Sequence, residues 1–123
     1  MNFAEYQKLA MRTNDGKCTD RIRYAANCPS ADFGAVINAS LGLSGEVGEL
    51  NDMIKKGIFH GHSLNTEHLK KEIGDVMWYV ALMCDAFGFD MAEIAQMNID
   101  KLIARYPMGF DPDKSLHRKE GDI

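Results

Sequence analysis

The sequence predicts an all-α protein, a four-helix-type bundle built as one domain. Three observations carry this. Apolar residues recur at helical spacing along several segments. No segment alternates apolar and polar residues with the period of a strand. Capping pairs precede periodic stretches, Asn2 with Glu5 and Asp90 with Glu93. A core over about residues 33–107 is expected, with an N-terminal helix and loop over 1–32 and a polar, loosely held tail over 108–123. A chain of 123 residues with 46% hydrophobic and 26% charged residues fits one modest globular domain.

The elements follow in order. Phe3, Tyr6, Leu9 and Ala10 make a short amphipathic helix to about Arg12. From Thr13 to Asp32 the chain is rich in Asn, Asp, Gly and Pro and reads as a long connection, with one helical turn around Arg21 to Ala26. A long helix is expected from about Phe33 to Lys56, where Val36, Leu43, Val47, Leu50 and Ile54 fall within one arc. Gly57 is the expected stop. Gly42, Gly45 and Gly48 lie inside that helix, each costing roughly 1 kcal/mol relative to Ala. The close approach of another helix or of a ligand is the expected compensation.

A third helix, capped by Asn65 or Thr66, is expected to run to about Phe87 with a stripe of Leu69, Ile73, Val76, Val80 and Met83. Trp78, Ala81 and Leu82 make it apolar nearly all round, so it is expected to be buried, most simply by a second subunit. The fourth helix spans about Met91 to Arg105 and ends before Pro107.

Charge and composition narrow the function. A net charge of −4 and a pI of about 5.5 argue against a nonspecific nucleic-acid binder. No apolar run reaches the length of a membrane span, and the first residues show no signal-peptide run. The three cysteines, Cys18, Cys28 and Cys84, show no CxxC spacing, so a reducing cytoplasm is expected, with Cys84 in the core.

Four carboxylates carry the chemistry. Glu46 and Glu49 are spaced i, i+3 on the second helix, and Glu72 and Asp75 share that spacing on the third. A hairpin of the two helices would bring the four together. Two unit charges ~4 Å apart repel by about 4 kcal/mol at an effective dielectric of ~20, so the cluster needs a cation. An all-oxygen set suits Mg²⁺, with Mn²⁺ able to substitute. Redox iron is disfavoured because no Glu-x-x-His pair is present in the quartet. The bland alternative is solvated acids paired along their own helices, Lys71 with Asp75 for example.

Asn98, Lys101 and Arg105 project from the apolar side of the fourth helix. Two cations there are costly unless they meet anions. They can neutralise phosphate or lie as a rim paired with carboxylates. Asn98 can contact a sugar or base, or be a satisfied polar group. His60 and His62 read as loop residues, and Trp78 and Tyr79 as core before base-stacking. No G-x-x-x-x-G-K-[ST] loop is present.

The strings LGLSGEVGEL, KKEIGDVMWYVALM and NIDKLIARYP together resemble the MazG-like nucleoside triphosphate pyrophosphohydrolases of the all-α NTP pyrophosphatase superfamily. The pattern E-x-x-E, spacer, E-x-x-D, then N-x-x-K-L-x-x-R falls on Glu46, Glu49, Glu72, Asp75, Asn98, Lys101 and Arg105. The resemblance implies Mg²⁺-dependent cleavage of a (d)NTP between the α and β phosphates, giving a monophosphate and pyrophosphate, often in nucleotide-pool cleansing. It implies the four carboxylates as metal ligands and catalytic groups, Asn98, Lys101 and Arg105 on the substrate, and a homodimer or homotetramer. Phosphoribosyl-ATP pyrophosphohydrolase and dUTPase-like enzymes of the same superfamily are alternatives. A catalytically silent metal-binding assembly module is the alternative outside enzymes.

Overall fold

A computed structural model describes residues 1–117. These residues form six helices, α1 (Phe3–Ala10), α2 (Cys18–Ala26), α3 (Phe33–Phe59), α4 (Thr66–Phe87), α5 (Met91–Arg105) and α6 (Pro112–Leu116), with a 3₁₀ turn at Met11–Thr13. No strand occurs among them, which bears out the all-α expectation. The chain divides into one compact unit from Met1 to Phe87 and a second beginning at Gly88.

In the first unit, α3 and α4 form an antiparallel hairpin. Its open end is tied by the backbone, Asp32 N donating to Ala86 O at 2.9 Å. Near mid-length the two helices approach closely at Gly42. A Cβ at that position would stand 2.0 Å from Cε1 of Tyr79, so the ring occupies the space that only glycine leaves. The expected compensation for a helical glycine is therefore found at Gly42. Gly45 and Gly48 have nothing within 4 Å of where a Cβ would lie.

Local chemistry explains the helix ends. Asn2 Oδ1 accepts from Glu5 N at 2.9 Å and Glu5 Oε2 accepts from Asn2 N at 3.0 Å, closing the expected capping box on α1. Asp32 caps α3 by accepting from Ala35 N. Asn65, rather than Thr66, caps α4, its Oδ1 accepting from His68 N at 3.0 Å. Asp90 caps α5 through Ala92 N.

Three boundaries differ from expectation. α2 is a full nine-residue helix rather than one turn. Arg21 reaches back with both guanidinium nitrogens to the two carboxylate oxygens of Asp15, a contact between residues six apart that no helical periodicity signals. α3 runs through Gly57 to Phe59. The left-handed glycine is Gly61, at φ 69°, and Lys56 O accepts from both His60 N and His62 N as the chain turns. The polar tail includes α6, with Asp111 as cap and Pro112 in its first turn; residues 118–123 of that tail lie outside the described residues.

The core of the first unit is thin. Ala39, Cys84 and Ala86 are its buried apolar residues, and no large side chain among the described residues is fully buried. Cys84 is a core residue, as expected. Of the expected stripes, Val36, Leu43, Leu50, Leu69, Val76 and Met83 are half-buried, whereas Val47, Ile54, Ile73 and Val80 are exposed. Trp78 is not covered by the hairpin itself: in the single chain it is 57% exposed and meets the edge of Tyr79 at a 4.9 Å centroid separation. Two helices bury only the seam between them, so an apolar circumference remains in contact with solvent.

The two kinds of glycine predict opposite effects. Gly42→Ala must displace the Tyr79 ring, and overpacking of this type costs about 1–3 kcal/mol, more than the helix propensity it gains. Gly45→Ala meets nothing and should stabilise the metal-free chain by up to about 1 kcal/mol. Urea unfolding followed by circular dichroism should place the two variants on opposite sides of the wild type.

Candidate functional site

The hairpin brings three of the four acidic residues together. Glu46 of α3 and Glu72 and Asp75 of α4 each offer a carboxylate oxygen within 4.8 Å of the other two. Glu72 is buried at 8% exposure, Glu46 is half-buried and Asp75 is exposed. Glu49, one helical turn beyond Glu46, stands outside this trio and is exposed.

The electrostatics match the geometry. The carboxyl of Glu46 is pushed above its ordinary value of 4.5, first by partial desolvation and then by the negative charges of Glu49, Asp75 and Glu72. Of the alternative of acids paired along their own helices, the hairpin shows one case in the quartet, Glu72 with His68 four residues before it. Lys71 makes no ion pair with Asp75 among the described residues, and Lys70 pairs instead with Glu67 at 2.7 Å. Three converging carboxylates that raise a proton affinity form a site short of positive charge. Their all-oxygen donor set fits a hard divalent cation such as Mg²⁺ or Mn²⁺.

Beside the trio runs an open groove of about 350 Å³, lined by Gly45, Gly48, Glu49, Asp52, Met53 and Lys56 of α3 and His68 and Glu72 of α4. The two glycines without neighbours keep this groove wide. Glu49 and Glu72 both line it, so the groove and the acidic trio share Glu72. Asp52 is held between Lys55 and Lys56, both at 2.5 Å, and its carboxyl falls to about 2, chiefly through the Lys55 hydrogen bond and then that of Lys56.

Two lining residues were not legible as site residues from motif reading. Asp52 continues the Glu49 side of the helix at i+3, and its two lysine partners follow at i+3 and i+4. His68 precedes Glu72 by four residues, and its Nε2 lies 2.8 Å from Glu72 Oε1. The signal that could have found it is the H-x-x-x-E spacing, which puts both side chains on one helix face. The more conspicuous His60 and His62 are exposed, with ring centroids 6.4 Å apart, and contribute no ligand to the acidic trio.

In the second unit, α5 carries Asn98, Lys101 and Arg105 at spacings of three and four, which align them along one side of the helix. Asn98 and Lys101 are exposed and Arg105 is half-buried, its guanidinium 6.0 Å from the centroid of the Tyr106 ring. Such a cation–aromatic contact steadies the guanidinium.

The raised proton affinity of Glu46 sets a pH-dependent stability. A carboxyl that binds its proton more tightly in the folded chain favours folding below its unfolded value of 4.5. That contribution is lost as pH rises through the higher folded value. Glu46→Gln should therefore raise the Tm of the metal-free protein at pH 7.5, with the difference shrinking towards pH 4. Added Mg²⁺ should raise the Tm of the wild type and narrow or reverse the gap, because the cation stabilises only the chain that retains the ligand. Thermal melts in EDTA and in Mg²⁺ at the two pH values test this.

The comparisons with known proteins agree with this arrangement. The model of the MazG nucleotide pyrophosphohydrolase domain matches residues 37–110, which span the hairpin and α5. The chain is also similar to the Gene 37 protein of Mycobacterium phage L5, at 32% identity over 89 residues, covering 69% of this chain and 76% of that protein. No solved structure gives a significant match. With a family model matched over more than half its length, and with the acidic pairs inside the matched segment, the chain belongs to the MazG nucleotide pyrophosphohydrolase domain family.

Proposed function

We propose that this protein is a Mg²⁺-dependent nucleoside triphosphate pyrophosphohydrolase that cleaves a (d)NTP between the α and β phosphates. The products are a nucleoside monophosphate and pyrophosphate, and the proposed role is nucleotide-pool cleansing in the cytoplasm. The observation that carries the reading is the convergence of Glu46, Glu72 and Asp75 within a MazG-family chain.

The proposed chemistry divides the acidic residues by position. Glu46, Glu72 and Asp75 form the core of the ligand set, and Glu49 completes the acidic quartet. Mg²⁺, or Mn²⁺ in its place, would supply charge neutralisation of the triphosphate and polarisation of the attacking water when bound there. Glu49 lies outside the trio and lines the groove. Its carboxylate is the proposed general base, accepting a proton from the water as the oxygen bonds to phosphorus. The bridging P–O bond of the α–β anhydride breaks, and pyrophosphate leaves with the electron pair. Asn98, Lys101 and Arg105 are the proposed substrate-binding set. The cations have the chemistry to neutralise charge developing on phosphate, where most of the barrier to phosphoryl transfer is lowered.

A homodimer or homotetramer is part of the proposal. Met77 and Trp78 of α4 and Leu41, Ile58 and Phe59 of α3 remain exposed in the single chain. Large apolar surface of this kind marks an interface. Among the described residues, no helix is long and apolar enough to cross a membrane.

The test is pyrophosphate release from a panel of standard, deoxy and modified NTPs, with Mg²⁺ and with EDTA. Metal-dependent release with the monophosphate as co-product is expected. Release confined to dUTP would favour a dUTPase-like enzyme, activity on phosphoribosyl-ATP alone would favour that pyrophosphohydrolase, and Mg²⁺ binding with every substrate left intact would favour a silent module. Glu49→Gln should lower turnover by at least about 100-fold, as loss of a general base does, while leaving the circular dichroism spectrum close to wild type and the Mg²⁺-free Tm at or above it, since one charge repelling Glu46 is removed. Unchanged turnover in that variant would sink the assignment of Glu49.

A further inference from the structure

Glu72 is the one charged residue buried among the described residues, and it is buried beside two other carboxylates. A carboxylate in that position carries a double penalty, from lost hydration and from like charge. No buried side-chain nitrogen or oxygen among the described residues lacks a hydrogen-bond partner, and the ion-pair contact of Glu72 is with His68. Nε2 of His68 lies 2.8 Å from Glu72 Oε1. A carboxylate oxygen accepts and an imidazole N–H donates, so the pair has the chemistry for a hydrogen bond from Nε2 to Oε1. The side chain of His68 is 56% exposed against 10% for Glu72, so the imidazole links a buried ligand to the open groove.

The backbone fixes where the histidine stands. Asn65 Oδ1 accepts from His68 N at 3.0 Å, and Asn65 O accepts from Leu69 N at 2.9 Å. The cap thus sets the first turn of α4, and that turn sets His68 one helical turn before Glu72. Cap, histidine and carboxylate form a relay of position from the start of the helix into the acidic trio.

We propose that His68 is a positioning residue for the metal site: by donating Nε2–H to Oε1 it fixes the rotamer of Glu72 and offers the carboxylate to the cation in one orientation. Without that donor, Glu72 can turn away from Glu46 and Asp75, which repel it until a cation arrives. Partners that orient a ligating carboxylate are worth about 10–100-fold in metal affinity. This inference rests on the metal-site reading of the proposed function, which the same experiment tests separately.

The experiment is a titration of the full-length protein with Mn²⁺ alone, without nucleotide, following free Mn²⁺ by electron paramagnetic resonance. Wild type, Glu72→Gln, His68→Leu and His68→Gln are compared. His68→Leu removes the donor while leaving the backbone cap intact, and His68→Gln replaces the imidazole by an amide donor of similar reach. The expected result is Mn²⁺ binding by the wild type that is lost in Glu72→Gln. His68→Leu should raise the Kd about 10–100-fold, with His68→Gln close to wild type. The Mg²⁺ concentration for half-maximal turnover should rise by the same factor in His68→Leu, with kcat preserved at saturating Mg²⁺. Metal-free Tm values of the two His68 variants serve as the folding control, and because Gln restores the donor without the ring, its rescue separates orientation from packing. Wild-type Mn²⁺ affinity in His68→Leu would overturn the inference and leave the metal site standing. Equal weakening by Leu and Gln would overturn the hydrogen bond as its basis. Absence of Mn²⁺ binding by the wild type would overturn both the inference and the metal-site reading.

Discussion

Glu46 and Glu72 are far apart in the chain, and each is costly where it stands, yet the antiparallel seam of α3 and α4 holds them face to face. That seam depends on a few contacts of defined geometry. Asp32 N donates to Ala86 O at its open end, and the Tyr79 ring lies over Gly42 along its length. Ala39, Cys84 and Ala86 fill the little interior the seam encloses. Small residues allow two helices to approach, and the approach brings Glu46 near Glu72 and Asp75. Widening the seam by one Cβ at Gly42 would therefore act on the acidic trio as well as on packing.

The energetic balance of that arrangement is that of a functional site rather than of an optimised core. Desolvation, then the charges of Glu49, Asp75 and Glu72, raise the proton affinity of Glu46, and two glycines nearby sit in open space at a cost to helix stability. Neither feature helps the hairpin fold. Both become useful if a cation and a phosphate-bearing ligand occupy the trio and the groove. Stability given up locally at a site that ligand binding later restores is the common pattern in enzymes. Asp52, between Lys55 and Lys56, shows the contrast on the same helix: there the acid is matched by its own neighbours, and its carboxyl falls to about 2.

Much of this was legible in order. The spacing of apolar residues located α3, α4 and α5 to within a few residues, because long helices repeat their signal over many turns. The capping box at Asn2 and Glu5 and the cap at Asp90 were readable because caps are local chemistry. The stop of α3 differs from the expected Gly57 because a glycine does not declare its backbone conformation; the turn uses the positive φ of Gly61 and carries Gly57 inside the helix. The full length of α2 is not legible in helical spacing, because its Asp15–Arg21 contact lies outside that spacing. What covers Trp78 is not legible in the sequence, because an apolar residue in an apolar helix carries no mark of which neighbour covers it; in the single chain it is exposed.

The acidic pairs were visible in the sequence because i, i+3 spacing is a property of one helix. Membership of each pair in one face, the hard-cation chemistry and the MazG resemblance all follow from residue type and order. Tertiary structure alone decided which oxygens meet: Glu46, Glu72 and Asp75 converge, Glu49 stands beside the groove, and Gly42 rather than Gly45 or Gly48 takes the neighbouring ring. It also revealed that the partner of the buried carboxylate is His68, not the paired loop histidines. The reason is physical. Periodicity fixes the direction of a side chain about its own helix axis, but the distance between residues of two helices depends on crossing geometry and on which small residues permit contact, and these are set only when the helices pack.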